Sequence, residues 1–173
     1  MPEIWDLYDA DRRPLKELHI RGDRLRRGTY HIAVGIWTVN DKNEILLTLR
    51  SHEKREWPDL WENTAGSVLA GETSLQAAVR ELREETGIHA TEEEFYLLGT
   101  ERSRNTIGDC YIIRKNVPLR DIVFQKGETC AARWVTLEGL DDMIARGIVA
   151  PPVAGRFARI RSKFEDYLCG RIG

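Results

Sequence analysis

Cysteine is scarce in this 173-residue chain: Cys110, Cys130 and Cys169 are odd in number, far apart and without a Cys-x-x-Cys pair. That suggests neither a disulfide framework nor a zinc site, and the three read as reduced thiols. Long hydrophobic runs are missing as well. No apolar stretch approaches the roughly 18 residues that would mark a membrane-spanning helix, and Met1 to Ala10 is acidic and aromatic rather than signal-like. A cytoplasmic protein without membrane association is expected. Charge of one sign is lacking too, with 26 Lys and Arg against 28 Asp and Glu. This balance argues against a general surface for nucleic-acid polymers or membranes. The four histidines, His19, His31, His52 and His89, have no metal-ligand spacing and receive no role. Internal repeats and low-complexity linkers are also absent.

What is present suits one domain, 1–173, with 42% hydrophobic and 31% charged residues, enough for a full core. Ile4 to Tyr8 and Leu15 to Ile20 flank the turn-like DADRRP and predict an N-terminal hairpin, an appendage over 1–28. His31 to Val39 and Ile45 to Leu49 are β-rich and joined by Asn40-Asp41-Lys42-Asn43, a second hairpin signal that opens the core, 29–150. Phe95 to Arg102, Thr106 to Arg114 and Ala131 to Thr136 read as further strands. Leu137 to Arg146 and Val153 to Leu168 read as amphipathic helices, the latter within a C-terminal segment 151–173, with Pro151-Pro152 separating the two. The fold class is α/β.

The most informative segment is GSVLAGETSLQAAVRELREETGI, Gly66 to Ile88. On a helix from Thr73 to Thr86, at about 100° per residue, Glu81, Glu84 and Glu85 fall within an arc of roughly 100°. Leu75, Val79, Leu82 and Thr86 form a stripe on nearly the opposite side, expected to face the core. Like charges at this spacing repel by a few tenths of a kcal/mol per pair, and a hard divalent cation with oxygen ligands would compensate. A solvated acidic face is the alternative for an arbitrary Glu-rich helix.

The flanking residues decide between them. Gly66, Glu72, Arg80-Glu81-Leu82, Glu84-Glu85 and Gly87-Ile88 stand at the spacing of an intact Nudix box, and the chain resembles the Nudix hydrolases over roughly residues 30 to 140. The resemblance implies a mixed β-sheet between α-helices, and Mg²⁺ or Mn²⁺ held by Glu81, Glu84 and Glu85. The implied activity is hydrolysis of a nucleoside diphosphate linked to another moiety, by metal-activated water. The base in such enzymes is the Glu of the Arg-Glu pair, here Glu81, or a loop residue, for which Glu128 is the candidate. Gly66 removes a side chain where backbone approaches metal or phosphate, and its carbonyl or that of Ala65 is a further ligand candidate. Glu72 and Arg80 resemble the family's internal ion pair, and Gly87 stops the helix. The resemblance also implies a small-molecule diphosphate substrate and allows a homodimer.

Residues before the box narrow the subgroup. Trp57 to Gly66 (WPDLWENTAG) and Glu3 to Asp9 (EIWDLYD) resemble Nudix proteins grouped with isopentenyl-diphosphate isomerase, which raises an isomerase alternative. That isomerase uses a cysteine after its Asn-Thr pair. Here Asn63-Thr64 is followed by Ala65, which cannot transfer a proton, and no cysteine is expected anywhere near. A nucleotide sensor without turnover is a third reading, disfavoured because such modules usually lose box carboxylates. Arg50, and less so Lys54 and Arg55, are candidates for phosphate oxygens. Trp57 and Trp61 could stack on a substrate group, although packing is the favoured role for both.

Overall fold

The computed structural model describes residues 2–173; Met1, the first residue of the expected extension, lies outside them. β1 (Ile4–Tyr8) and β2 (Pro14–Ile20) form an antiparallel hairpin. Asp9 shapes its turn, accepting at 2.9 Å from the amides of both Asp11 and Arg13, the local bonding that makes Asp a turn residue. Seven strands build the main sheet: β3 (His31–Val39), β4 (Ile45–Arg50), β5 (Trp61–Glu62), β6 (Thr64–Ser67), β7 (Tyr96–Ser103), β8 (Thr106–Arg114) and β9 (Thr129–Val135). Helices α1 (Ser74–Thr86), α2 (Leu137–Ala145) and α3 (Pro151–Leu168) complete the order.

The β-branched runs in β3 and β8 pair in parallel along their whole length at the sheet centre, and the other pairings are antiparallel. The other edge of β3 is shared, by β6 over Ala33–Ile36 and by β4 at Val39. The chain therefore leaves the middle of the sheet through β6 and turns directly into α1.

Strand alternation divides the core into two layers. On one face Trp37, Val39, Leu47 and Ile112 pack with Phe157 and Phe164 of α3, and Trp37 and Phe157 have ring centroids 5.0 Å apart. On the other face Val34, Ile36, Leu46 and Ile113 meet Ala77, Ala78 and Leu82 of α1. This is the mixed sheet between helices that the resemblance implies.

Three details differ from the sequence expectations. The strands β5 and β6 were not expected, being short and carrying Glu62 and Gly66. On α1, Leu75 and Val79 are only half-buried, because Ala77 and Ala78 let the helix sit close to the sheet on their own side; the buried face therefore includes Glu85. Pro151 and Pro152 do not separate helices but begin α3, where a missing amide costs nothing.

The hairpin is also more than an appendage. Trp5 stacks on His31 at 4.1 Å, the Ile4 carbonyl accepts from the Ala70 amide, and the Asp6 carboxylate accepts from the Gly71 amide, both at 2.8 Å. Arg12, at φ +62°, reaches buried Asp109 of β8 with Nη1 at 2.7 Å and Nη2 at 2.5 Å. Asp109 also accepts from Ser74 at the start of α1 and Thr100 of β7. Burial pushes its carboxyl up, but the bonds from Arg12, Ser74 and Thr100 prevail and hold it below the usual range. A lowered carboxyl pKa stabilises above the unfolded value of about 3.9, and that stability disappears as pH falls through the lower folded value. Arg12→Ala is expected to cost about 1–2 kcal/mol, discounted because Arg12 is partly exposed, or about 2–8 °C in Tm. Its acid-unfolding midpoint should move up in pH, and a thermal and acid melt monitored by circular dichroism checks both shifts.

Candidate active site

The loop between β6 and α1 and the side of α1 that runs from exposed Glu84 to buried Glu85 carry the acidic cluster. Thr73 caps α1: its hydroxyl accepts from the Gln76 amide at 3.1 Å, and the Gln76 side chain accepts from the Thr73 amide at 3.0 Å. Gly87 ends the helix in the left-handed region at φ +73°, its amide donating to the Arg83 carbonyl at 2.9 Å.

Arg80 organises what lies between. Its guanidinium donates to both oxygens of Glu72 at 2.8 and 2.9 Å, to the Ser67 carbonyl at 2.9 Å, and to Glu81 at 2.7 Å. A longer bond of 3.3 Å reaches Glu84. Loop, strand end and helix are thereby tied at one planar group. Burial raises the Glu72 carboxyl, yet Arg80 and the Leu69 amide hold it below the usual range. Glu81 is half-buried against Gly66, so close that a β-carbon on residue 66 would overlap its carboxyl group. For Glu81 burial wins over Arg80, and its pKa is raised.

Glu85 is the most constrained of the three. It is 7% exposed, and its Oε2 has no hydrogen-bond partner. Burial raises its pKa well above the ordinary carboxylate range; the charges of Glu62, Glu81 and Glu128 add to this, against an amide bond from Ala65. An orphaned, buried carboxylate oxygen among three further carboxylates, one of them, Glu81, against a glycine that admits no side chain, fits a hard divalent cation. Among the described residues, however, no three His, Cys, Asp or Glu side chains already stand in a ligating arrangement. Arg80 holds Glu81 and Glu84, and Lys54 holds Glu128.

The other candidates fall as follows. Arg50 does not present a free guanidinium. It donates to Glu62 at 2.7 Å and to the carbonyls of Glu56 and Trp57 at 2.7–3.1 Å, which clamps the 51–60 loop and leaves the guanidinium occupied. Lys54 is engaged by Glu128, whose carbonyl also accepts from the Ser51 amide at 2.8 Å. Arg55 is exposed on that loop with no hydrogen bond or ion pair among the described residues. Trp57 is 46% exposed at φ +53°, which overturns the packing expectation for it; Trp61 is buried beneath the Arg133 guanidinium, 3.9 Å from its ring centroid. Glu62 received no role from sequence, yet it is 8% exposed and burial raises its pKa against the Arg50 charge. Its one signal is an acid directly after Leu60-Trp61.

A family model, the NUDIX domain, matches residues 29–151. The chain belongs to the Nudix hydrolase family. An uncharacterized Nudix hydrolase of Listeria monocytogenes is 36% identical over 150 residues, covering 86% of this chain and 89% of that protein. Isopentenyl-diphosphate isomerases from Salmonella share 36% identity over only 63 residues, 36% of this chain and 35% of theirs. A solved protein from Deinococcus radiodurans has TM-score 0.76 at 21% identity, covering 91% of this chain and 99% of that one, and shows the Nudix fold. The Nudix domain of a Shewanella oneidensis protein, solved with ADP ribose, has TM-score 0.60 at 16% identity and covers 78% of this chain and 88% of that one. As a Nudix hydrolase the chain is an enzyme for phosphorus anhydrides, of a family that generally uses divalent metals. No helix among the described residues is long and apolar enough to cross a membrane.

The fold adds one correction on the isomerase side. Ala65 pairs with Gly35, and Gly35 pairs with Cys110, so a cysteine does lie on the same face of the sheet, two strands away. At about 4.8 Å per strand this is too far to replace a side chain at position 65, and burial pushes the Cys110 thiol up to about 12.

Proposed function

We propose that this Nudix hydrolase cleaves the pyrophosphate bond of a nucleoside diphosphate linked to another moiety, with Mg²⁺, or Mn²⁺ in its place, held by Glu81, Glu84, Glu85 and the backbone at Gly66. The observation that carries this reading is the unpartnered Oε2 of buried Glu85 within the carboxylate cluster. When bound, the cation neutralises diphosphate oxygens and lowers the pKa of a water. Glu72 and Arg80 hold loop and helix in register, so that the ligand carboxylates meet the substrate in one geometry. Glu81 or Glu128 accepts the proton of the attacking water. Either must first loosen a cation, Arg80 for Glu81 and Lys54 for Glu128.

Arg55 and Trp57, exposed on the loop beside Glu128, are the side chains free to meet substrate from that side. ADP ribose, the ligand of the Shewanella domain, is a reasonable first compound. A screen for product release across nucleotide sugars, ADP ribose, dinucleoside polyphosphates, deoxynucleoside triphosphates and isopentenyl diphosphate, with and without Mg²⁺, tests the function. Metal-dependent hydrolysis of a diphosphate supports it. Isomerisation of isopentenyl diphosphate without hydrolysis would replace it, and nucleotide binding without turnover would make the chain a sensor.

Glu128→Gln is expected to lower turnover about 10²-fold or more if Glu128 is the base, with loss of the acid limb of the pH–rate profile. Unchanged kinetics would pass the role to Glu81.

A further inference from the structure

A cavity of about 700 Å³ lies on the α3 face of the sheet, away from α1, within the size range of small-molecule sites. Its floor includes Gly35 of β3, Gly99 of β7 and Gly108 of β8. None of the three has positive φ, so the backbone does not demand glycine. Steric need is also missing. A β-carbon would meet nothing within 4 Å at Gly99, only Glu101 at 3.8 Å or beyond at Gly108, and the Asn63 amide nitrogen at 3.4 Å at Gly35. Glycine inside a strand weakens it and marks a bulge or a place where a ligand or another backbone approaches; Gly99 follows the register shift after Leu97, so the second reason applies to Gly35 and Gly108.

Two polar groups on the wall lack partners. The Arg156 side chain of α3 makes no hydrogen bond or ion pair among the described residues, and burial lowers its pKa. Asn63 is 2% exposed; its amide nitrogen donates to the Ile36 and Thr64 carbonyls at 3.2 and 3.3 Å, which fixes its orientation, and its Oδ1 has no partner. The carboxylates on the wall are already matched, Glu101 by Arg159 and Asp109 by Arg12. An anion is therefore attracted, and a hydrogen-bond donor is wanted beside it. The cavity adjoins the carboxylate cluster: Gly35 pairs with Ala65, next to Gly66, and Glu62 feels the charge of Arg156 while itself acting on Glu85.

We propose that this cavity holds a phosphorylated, hydroxyl-bearing group, a sugar phosphate, with Arg156 on its phosphate and the Asn63 side-chain oxygen on a hydroxyl. Its assignment as one half of the substrate rests on the hydrolytic reading above; the binding itself does not. Ribose 5-phosphate, ribose and inorganic phosphate are titrated separately into metal-free, isotope-labelled protein, and backbone amide signals are followed by NMR. Ribose 5-phosphate is expected to shift the Gly35, Gly99 and Gly108 amides saturably, with ribose and phosphate at least 10-fold weaker. Arg156→Gln should weaken ribose 5-phosphate at least 10-fold, and Arg156→Lys less. Gly108→Ala, whose added methyl enters the cavity without a clash, should keep the fold and also weaken binding. Absence of shifts at the three glycines, or shifts unchanged in both Arg156→Gln and Gly108→Ala, would overturn the proposal even if the enzyme hydrolyses diphosphates. Saturable binding there by a protein that hydrolyses no diphosphate would leave the site standing and overturn the hydrolytic reading.

Discussion

Glu85→Gln is expected to lower metal-dependent turnover by about 10³-fold or more while raising the Tm of the metal-free protein. The loss follows from removing a ligand charge where a cation contributes several kcal/mol to the transition state, at about 1.4 kcal/mol per tenfold. The gain follows from the same geometry. Glu85 is buried, one of its oxygens is unbonded, and Glu62, Glu81 and Glu128 all oppose its charge. Glutamine keeps the shape and discards the repulsion, which is expected to return about 1 kcal/mol, or about 2–4 °C. Glu84→Gln should lose activity similarly but leave Tm unchanged, because Glu84 is exposed and only weakly bonded to Arg80. Kinetics and thermal melts with and without Mg²⁺ measure both, and unchanged turnover in both variants would sink the ligand assignment.

Gly66→Ala is expected to cost about 10²-fold in turnover, through space rather than conformation. The backbone at Gly66 is an ordinary strand position paired with Val34, so alanine brings no torsional penalty. Its methyl would overlap the Glu81 carboxyl group, and because β6 is held by β3 the side chain has to yield. Glu81 would then swing away from Arg80 and from the cluster, and a displacement of about 1 Å at a reacting site can cost 10²-fold. Gly71→Ala is the control. It sits at φ +83° with nothing within 4 Å, so it should lose about 1–2 kcal/mol of stability and keep near-normal turnover. Comparing kcat and Tm for the two separates a glycine kept for room from one kept for its turn.

The local signals in the chain were strong where structure is decided locally. The β-branched runs of β3 and β8, the turn residues of the hairpin, and the threonine and glycine bracketing α1 all stand where their chemistry places them. Signals failed where distant segments decide. The strands β5 and β6 are short and owe their extended form to partners in β4 and β3. The stripe of Leu75 and Val79 promised a buried face, but contact with the sheet favoured the small side chains Ala77 and Ala78 and so carried Glu85 inward. At the site, the box glutamates and the Arg80 pair were readable because their spacing is short. Arg50 committed to Glu62, Lys54 to Glu128, and Cys110 beside Gly35 depend on chain crossings that no window of sequence contains.

The hairpin grips the loop before α1 from outside the stretch that the family model matches. Ile4 and Asp6 hold the amides of Ala70 and Gly71, Arg12 fixes the Asp109 that binds Ser74, and all three holders precede residue 29, where the family match begins. The stiffness of the loop is thereby under separate genetic control from its chemistry. Substitutions in the hairpin are expected to tighten or relax the loop while every box residue stays unchanged.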